Sequence, residues 1–79
     1  MYKTGDMKPN GRFGNWLFEN MVKRDMTCVD VAKLLRSTRQ NIRRHINGLS
    51  RPQYVWVLAY CNLFDDDPEK VWRLVLEEL

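Results

Sequence analysis

The sequence predicts an all-α fold, a compact bundle of five short helices. Three observations carry that prediction. Apolar residues recur at helical spacing, as in Phe13, Leu17 and Met21, and no alternation of period two persists anywhere. Residues suited to capping helix starts precede the stripes, as Thr27, Thr38 and Asp67 do. Gly48 and Pro52 fall between stripes, and Pro68 stands where the first turn of the last helix begins. A chain of 79 residues with 44% hydrophobic content suffices for one domain with a packed core, near the lower size limit for such a core.

Residues 1–12 contain Gly5, Pro9 and Gly11, three basic residues and no periodicity. They read as a flexible basic arm preceding a domain over 13–79. Two readings of the arm stand: a disordered tail, or a segment adding phosphate or minor-groove contacts through Lys3, Lys8 and Arg12. The first helix spans 13–24, with a stripe of Phe13, Trp16, Leu17 and Met21, joined by Phe18, and with Lys23 and Arg24 in its last turn. The second spans 27–35, where Thr27 and Asp30 form a capping-box pattern and Ala32 permits close approach of another helix. Arg36-Ser37 is a very short connection into Thr38, so the second and third helices form a helix-turn-helix.

The third helix spans 38–48, and the rest of the chain is organised around it. Thr38 caps its start and Gly48 can end it in the left-handed conformation. Ile42 and Ile46 are its only clear apolar anchors, spaced i, i+4 on one face. Arg44 points almost opposite them, with Gln40 and Asn47 beside it. An outer face of this kind offers bidentate donors to base edges and charge to phosphates. A solvated basic surface is the commoner meaning of such a face.

The fourth helix spans 53–63, with Tyr54, Val55, Val57, Leu58 and Cys61 as core candidates and Leu63 and Phe64 at its end. Asp65 to Asp67 form a polar break, and the fifth helix spans 68–79. Its apolar residues spread over more than one face, which calls for two partners. One is the domain core, and the other is a second copy of the chain, through Trp72, Val75, Leu76 and Leu79, with Trp56 as a possible addition. The alternative is a small core that absorbs all of them.

The net charge of +3 conceals a division. Residues 1–51 carry eleven Lys/Arg against four Asp/Glu, a balance of +7, and residues 52–79 carry two against six, a balance of −4. From Arg36 to Arg51 there are five arginines and no acid. A basic half favours a polyanion, nucleic acid above all, over a membrane. Two cysteines without metal-ligand spacing are expected to be reduced thiols of a cytoplasmic protein. No apolar run reaches membrane-spanning length, and no signal-peptide core precedes the first helix. With one histidine, no phosphate-binding glycine loop and no nucleophile motif, neither catalysis, a cofactor, a metal nor a small-molecule ligand is expected.

The stretch from Thr27 to Gly48 resembles the helix-turn-helix of the lambda-repressor-like, Cro and C1-repressor type DNA-binding domains. Ala32 stands where that family has an alanine in the second helix, and Leu35 where it has an apolar residue before the turn. Thr38 matches its capping residue, Ile42 its buried aliphatic, Asn47-Gly48 its closing pair, and the basic loop ending in Pro52 its following loop. The chain departs from the pattern at Arg36, often glycine; at Cys28, often glutamine; and at His45, usually aliphatic. The resemblance implies base reading by Arg39, Gln40 and Arg44, with Arg43 serving bases or phosphates. It implies phosphate binding by Asn47 and Arg51; Thr27 joins that set, with Lys3, Lys8 and Arg12 of the arm. It implies a small phage- or bacterial-type repressor acting as a homodimer on a pseudo-palindromic operator in double-stranded DNA, with helix 38–47 in the major groove. A helical protein-interaction module, an antirepressor or adaptor reusing the fold without DNA, is the competing reading.

Overall fold

The structure, a computed structural model, describes residues 8–78. Lys3 and Leu79, expected in the arm and at the interface, lie outside the described residues. Five helices follow one another: α1 (Gly11–Lys23), α2 (Cys28–Leu34), α3 (Arg39–Ile46), α4 (Tyr54–Phe64) and α5 (Pro68–Leu76). No strand occurs among the described residues, so the all-α expectation holds. No helix among them is long and apolar enough to cross a membrane.

The capping residues act as the sequence indicates. Thr27 and Asp30 form a complete capping box, each side chain accepting from the other's backbone N–H. The Thr38 hydroxyl accepts from the Asn41 N–H, and the Asp67 carboxylate accepts from the Glu69 N–H. Four helix ends close on a residue in the left-handed region: Asp25, Arg36 and Asp65 at φ of 54°, 54° and 57°, and Gly48 at 72°. In each, the next residue's N–H bonds back to a carbonyl in the last turn: Met26 to Met21, Ser37 to Ala32, Leu49 to Arg44, and Asp66 to Cys61. Carbonyls left over at a helix end are satisfied this way.

α1 begins two residues earlier than its apolar stripe suggests, so Gly11 and Arg12 belong to the helix and not to the arm. Two contacts explain the correction. Asn10 takes the cap position and donates its N–H to the Ile46 carbonyl at 3.0 Å. Glu78 accepts from the Phe13 N–H at 2.7 Å, filling an opening that no side chain of α1 fills.

Phe13, Leu17 and Met21 of α1 enter the core between two helix pairs, α2 with α3 and α4 with α5. Gly14 is buried against α3, where a Cβ would collide with the Ile46 carbonyl oxygen. Val31 and Ala32, Ile42 and Ile46, and Val71 complete the core from the other helices. α4 faces inward differently from expectation. Val57, Tyr60, Cys61 and Phe64 are buried, whereas Tyr54, Val55 and Leu58 are exposed. The helix has no charged residue to mark its outer side, so the sequence pattern left its orientation open. Val75, expected at an interface between copies, is 1% exposed and belongs to this chain's own core. It lies one turn from Val71 on the same buried face of α5. Both cysteines are buried and neither is in a disulfide.

Candidate nucleic-acid interface

α3 is held by its inner side. Ile42 and Ile46 are completely buried, and His45 is 6% exposed beside them. The Nδ1 of His45 lies 2.7 Å from the Tyr60 hydroxyl, and its ring meets Trp56 edge to face at 4.9 Å. Burial pulls the imidazole down to about 4 from its ordinary 6.5, so the ring is neutral at physiological pH. Burial also raises the Tyr60 hydroxyl, which stays protonated as a hydrogen-bonding partner. His45 is therefore a satisfied packing residue that fastens α3 to α4.

Fixing that inner face determines the outer one. Arg39, Gln40 and Arg44 are all exposed. Gln40 and Arg44 are one turn apart, opposite the isoleucines. Arg43 is half-buried at the flank of this row. The helix contains no acid, and none occurs anywhere between Asp30 and Asp65. The side chains that present donors outward thus share one face with no carboxylate from α3, the loop after it or α4.

The loop after α3 adds to this surface. Asn41, Ser50, Arg51 and Gln53 border one shallow polar depression with His45 and Trp56. Asn41 also donates to the Ser37 hydroxyl at 3.1 Å, tying the turn to the first turn of α3. Asn41 and Gln53 are additions that sequence reasoning did not single out. Asn41 lies between Arg44 and His45 around the helix, where the pattern does not separate packing from exposure.

The remaining expected phosphate ligands are distributed unevenly. Asn47 is half-buried and its side-chain oxygen accepts the Lys8 N–H at 2.9 Å. This brings Lys8 to the C-terminal end of α3. Thr27 is exposed, but its N–H donates to Asp30, leaving the hydroxyl hydrogen as the donor it can offer outward. Arg12 points to α5, where its guanidinium pairs with Glu77 at 3.0 Å. Arg12 is thus drawn away from the row on α3. Among the described residues, no group of three or more His, Cys, Asp or Glu side chains is placed to hold a metal ion.

Comparison with protein-family models, curated proteins and solved structures finds no match for the chain.

Proposed function

We propose that the chain is a sequence-specific regulator that binds double-stranded DNA with α3 in the major groove, in the manner of the Cro and C1-repressor type domains it resembles. The observation that carries this reading is the outward pair Gln40 and Arg44, with Arg39 exposed at the start of the helix, on a helix whose opposite face is locked into the core. A rigid helix can place bidentate donors reproducibly, as base readout requires. Arginine pairs with guanine O6 and N7 and glutamine with adenine N6 and N7, so the site contains guanines in its half-sites. Arg51, Asn47 and the Thr27 hydroxyl hold phosphates on either side, and Lys8 extends that contact past the end of α3. The protein works in the cytoplasm of a bacterial host, as a homodimer on a pseudo-palindromic operator.

Selection from a random duplex pool tests the reading. A preferred motif is expected, with binding that weakens steeply as salt rises. Arg44→Ala weakens the selected site by about tenfold or more. Absence of any preferred motif across a range of salt sinks the proposal, and favours the competing protein-interaction module. That second reading has one observation on its side, the exposed apolar residues of α4.

A further inference from the structure

The start of α1 lies against the end of α3. Asn10 donates its N–H to the Ile46 carbonyl, Gly14 is pressed on that same carbonyl, and Lys8 donates to Asn47. Arg12 follows Asn10 by two residues and is exposed in the first turn of α1. A cation therefore stands beside the end of α3 to which Asn47 and Lys8 belong. Its guanidinium is nonetheless held by Glu77 at 3.0 Å, from 65 residues further along the chain.

Glu78 brings a second carboxylate to the same place, where it accepts the Phe13 N–H at 2.7 Å. Asn10 gives α1 no side-chain cap, and α1 has no acid in its own first turn. At Gly11, with φ of 80°, a Cβ would collide with the Glu78 carboxylate. The start of the helix is thus open to an acid that arrives from the other end of the described chain. From there Glu78 also borders a cavity of about 300 Å³ whose walls include Ser50 and Arg51, in the loop after α3. Two acids therefore reach in among the cations assigned above to phosphate, although the stretch from Arg36 to Arg51 has none of its own.

We propose that Glu77 and Glu78 form a built-in brake on DNA binding: Glu77 occupies the guanidinium of Arg12, and Glu78 sets a negative charge beside the Arg51 loop. This regulation rests on the DNA-reading function proposed above. A phosphodiester meets Arg12 only by displacing Glu77. The exchange is open to it because the pair is exposed on both sides, 68% for Arg12 and 53% for Glu77, and solvent weakens such a pair. The two acids touch no base. They suppress charge-driven association with any duplex and leave discrimination to Gln40 and Arg44.

The test is binding of the full chain to a duplex of arbitrary sequence across a salt series. Glu77→Ala is expected to bind about threefold or more tightly at low salt, with a salt dependence steeper by about one phosphate contact. That gain disappears when Arg12→Gln is added to Glu77→Ala, which separates a brake from the general effect of a higher net charge. Glu78→Gln keeps an oxygen for the Phe13 N–H, so α1 stays capped, and it adds a further gain to that of Glu77→Ala. A purely structural role for the two acids predicts the opposite sign, since a loosened α1 binds no better. No gain from Glu77→Ala, or a gain that survives Arg12→Gln, overturns the brake and leaves the DNA reading standing. If neither the native chain nor the variants bind duplex at the lowest salt, the DNA reading fails and the brake falls with it.

Discussion

His45 shows at the scale of one residue how a departure from an apolar pattern is accommodated. A histidine occupies an inward position of α3 and is made tolerable by one hydrogen bond to Tyr60 and by staying neutral. Its proton affinity then becomes a stability term. The unfolded chain takes up the proton near 6.5 and the folded one only near 4, so between those values the unfolded state binds more. Stability is fully present above about pH 6.5 and falls on acidification by about 1.4 kcal/mol per pH unit down to about pH 4. His45→Asn keeps an amide group for Tyr60 and cannot titrate. Urea midpoints measured from pH 7 to 4.5 should slope for the native protein and be nearly flat for the variant; equal slopes would place the titration elsewhere. Asp66 does not contribute in that window. Lys70 and the Trp16 indole N–H hold its carboxyl down at about 2, so its share is lost only in stronger acid.

At the scale of the helices, the ends were more legible than the faces. Thr27, Thr38, Asp67 and Gly48 signal their helix ends through side-chain chemistry that acts locally. Asp25 and Asp65 give no such signal, because the left-handed position they fill is one that glycine or asparagine usually marks, whereas Arg36 was marked only by the resemblance, as a residue standing where glycine is usual. The inner side of α3 was legible from its two isoleucines. That of α4 was not, because a helix without charge has no outer label, and the buried Tyr60 was missed for that reason. The outward placement of Gln40 and Arg44 was legible from periodicity, whereas that of Arg39 rested on the resemblance and the place of Asn41 required knowing where His45 turns. The division of labour across this surface has its own test. On a panel of duplexes differing by single bases, Gln40→Ala should flatten the preference at one position, by about 1–3 kcal/mol. Arg51→Ala should weaken every duplex alike and shallow the salt dependence by about one phosphate contact. Identical behaviour of the two variants would refute the assignment.

Across the whole molecule, the two ends of the described chain are joined. Glu78 caps the open start of α1 through the Phe13 N–H, and Glu77 meets Arg12 beside it. These contacts seat α1 against α5 while Gly14 seats it against α3, so the first helix links the two pairs. The cap and the ion pair differ in weight. Glu78→Ala should lower stability by about 1 kcal/mol, since it leaves a first-turn N–H without its acceptor. Glu77→Ala removes an exposed pair and should cost less than about 0.5 kcal/mol. Chemical denaturation of both variants decides the matter, and equal losses would show that the cap adds nothing. The charge along the sequence is divided as well. Five arginines fall from Arg36 to Arg51 with no acid among them, and six of the ten acids follow α4.

The way α3 is fastened has an evolutionary consequence. Its fixing contacts all lie on one side: Ile42, His45 and Ile46, with the bare backbone of Gly14 pressed against its last turn. Arg39, Gln40 and Arg44 are exposed and stand outside that buried set. Substitutions in the outer row therefore change what the helix meets at little expense to folding, while changes on the inner side disturb both. A lineage carrying this framework can change the outer face of α3 by single steps, each passing through a folded intermediate.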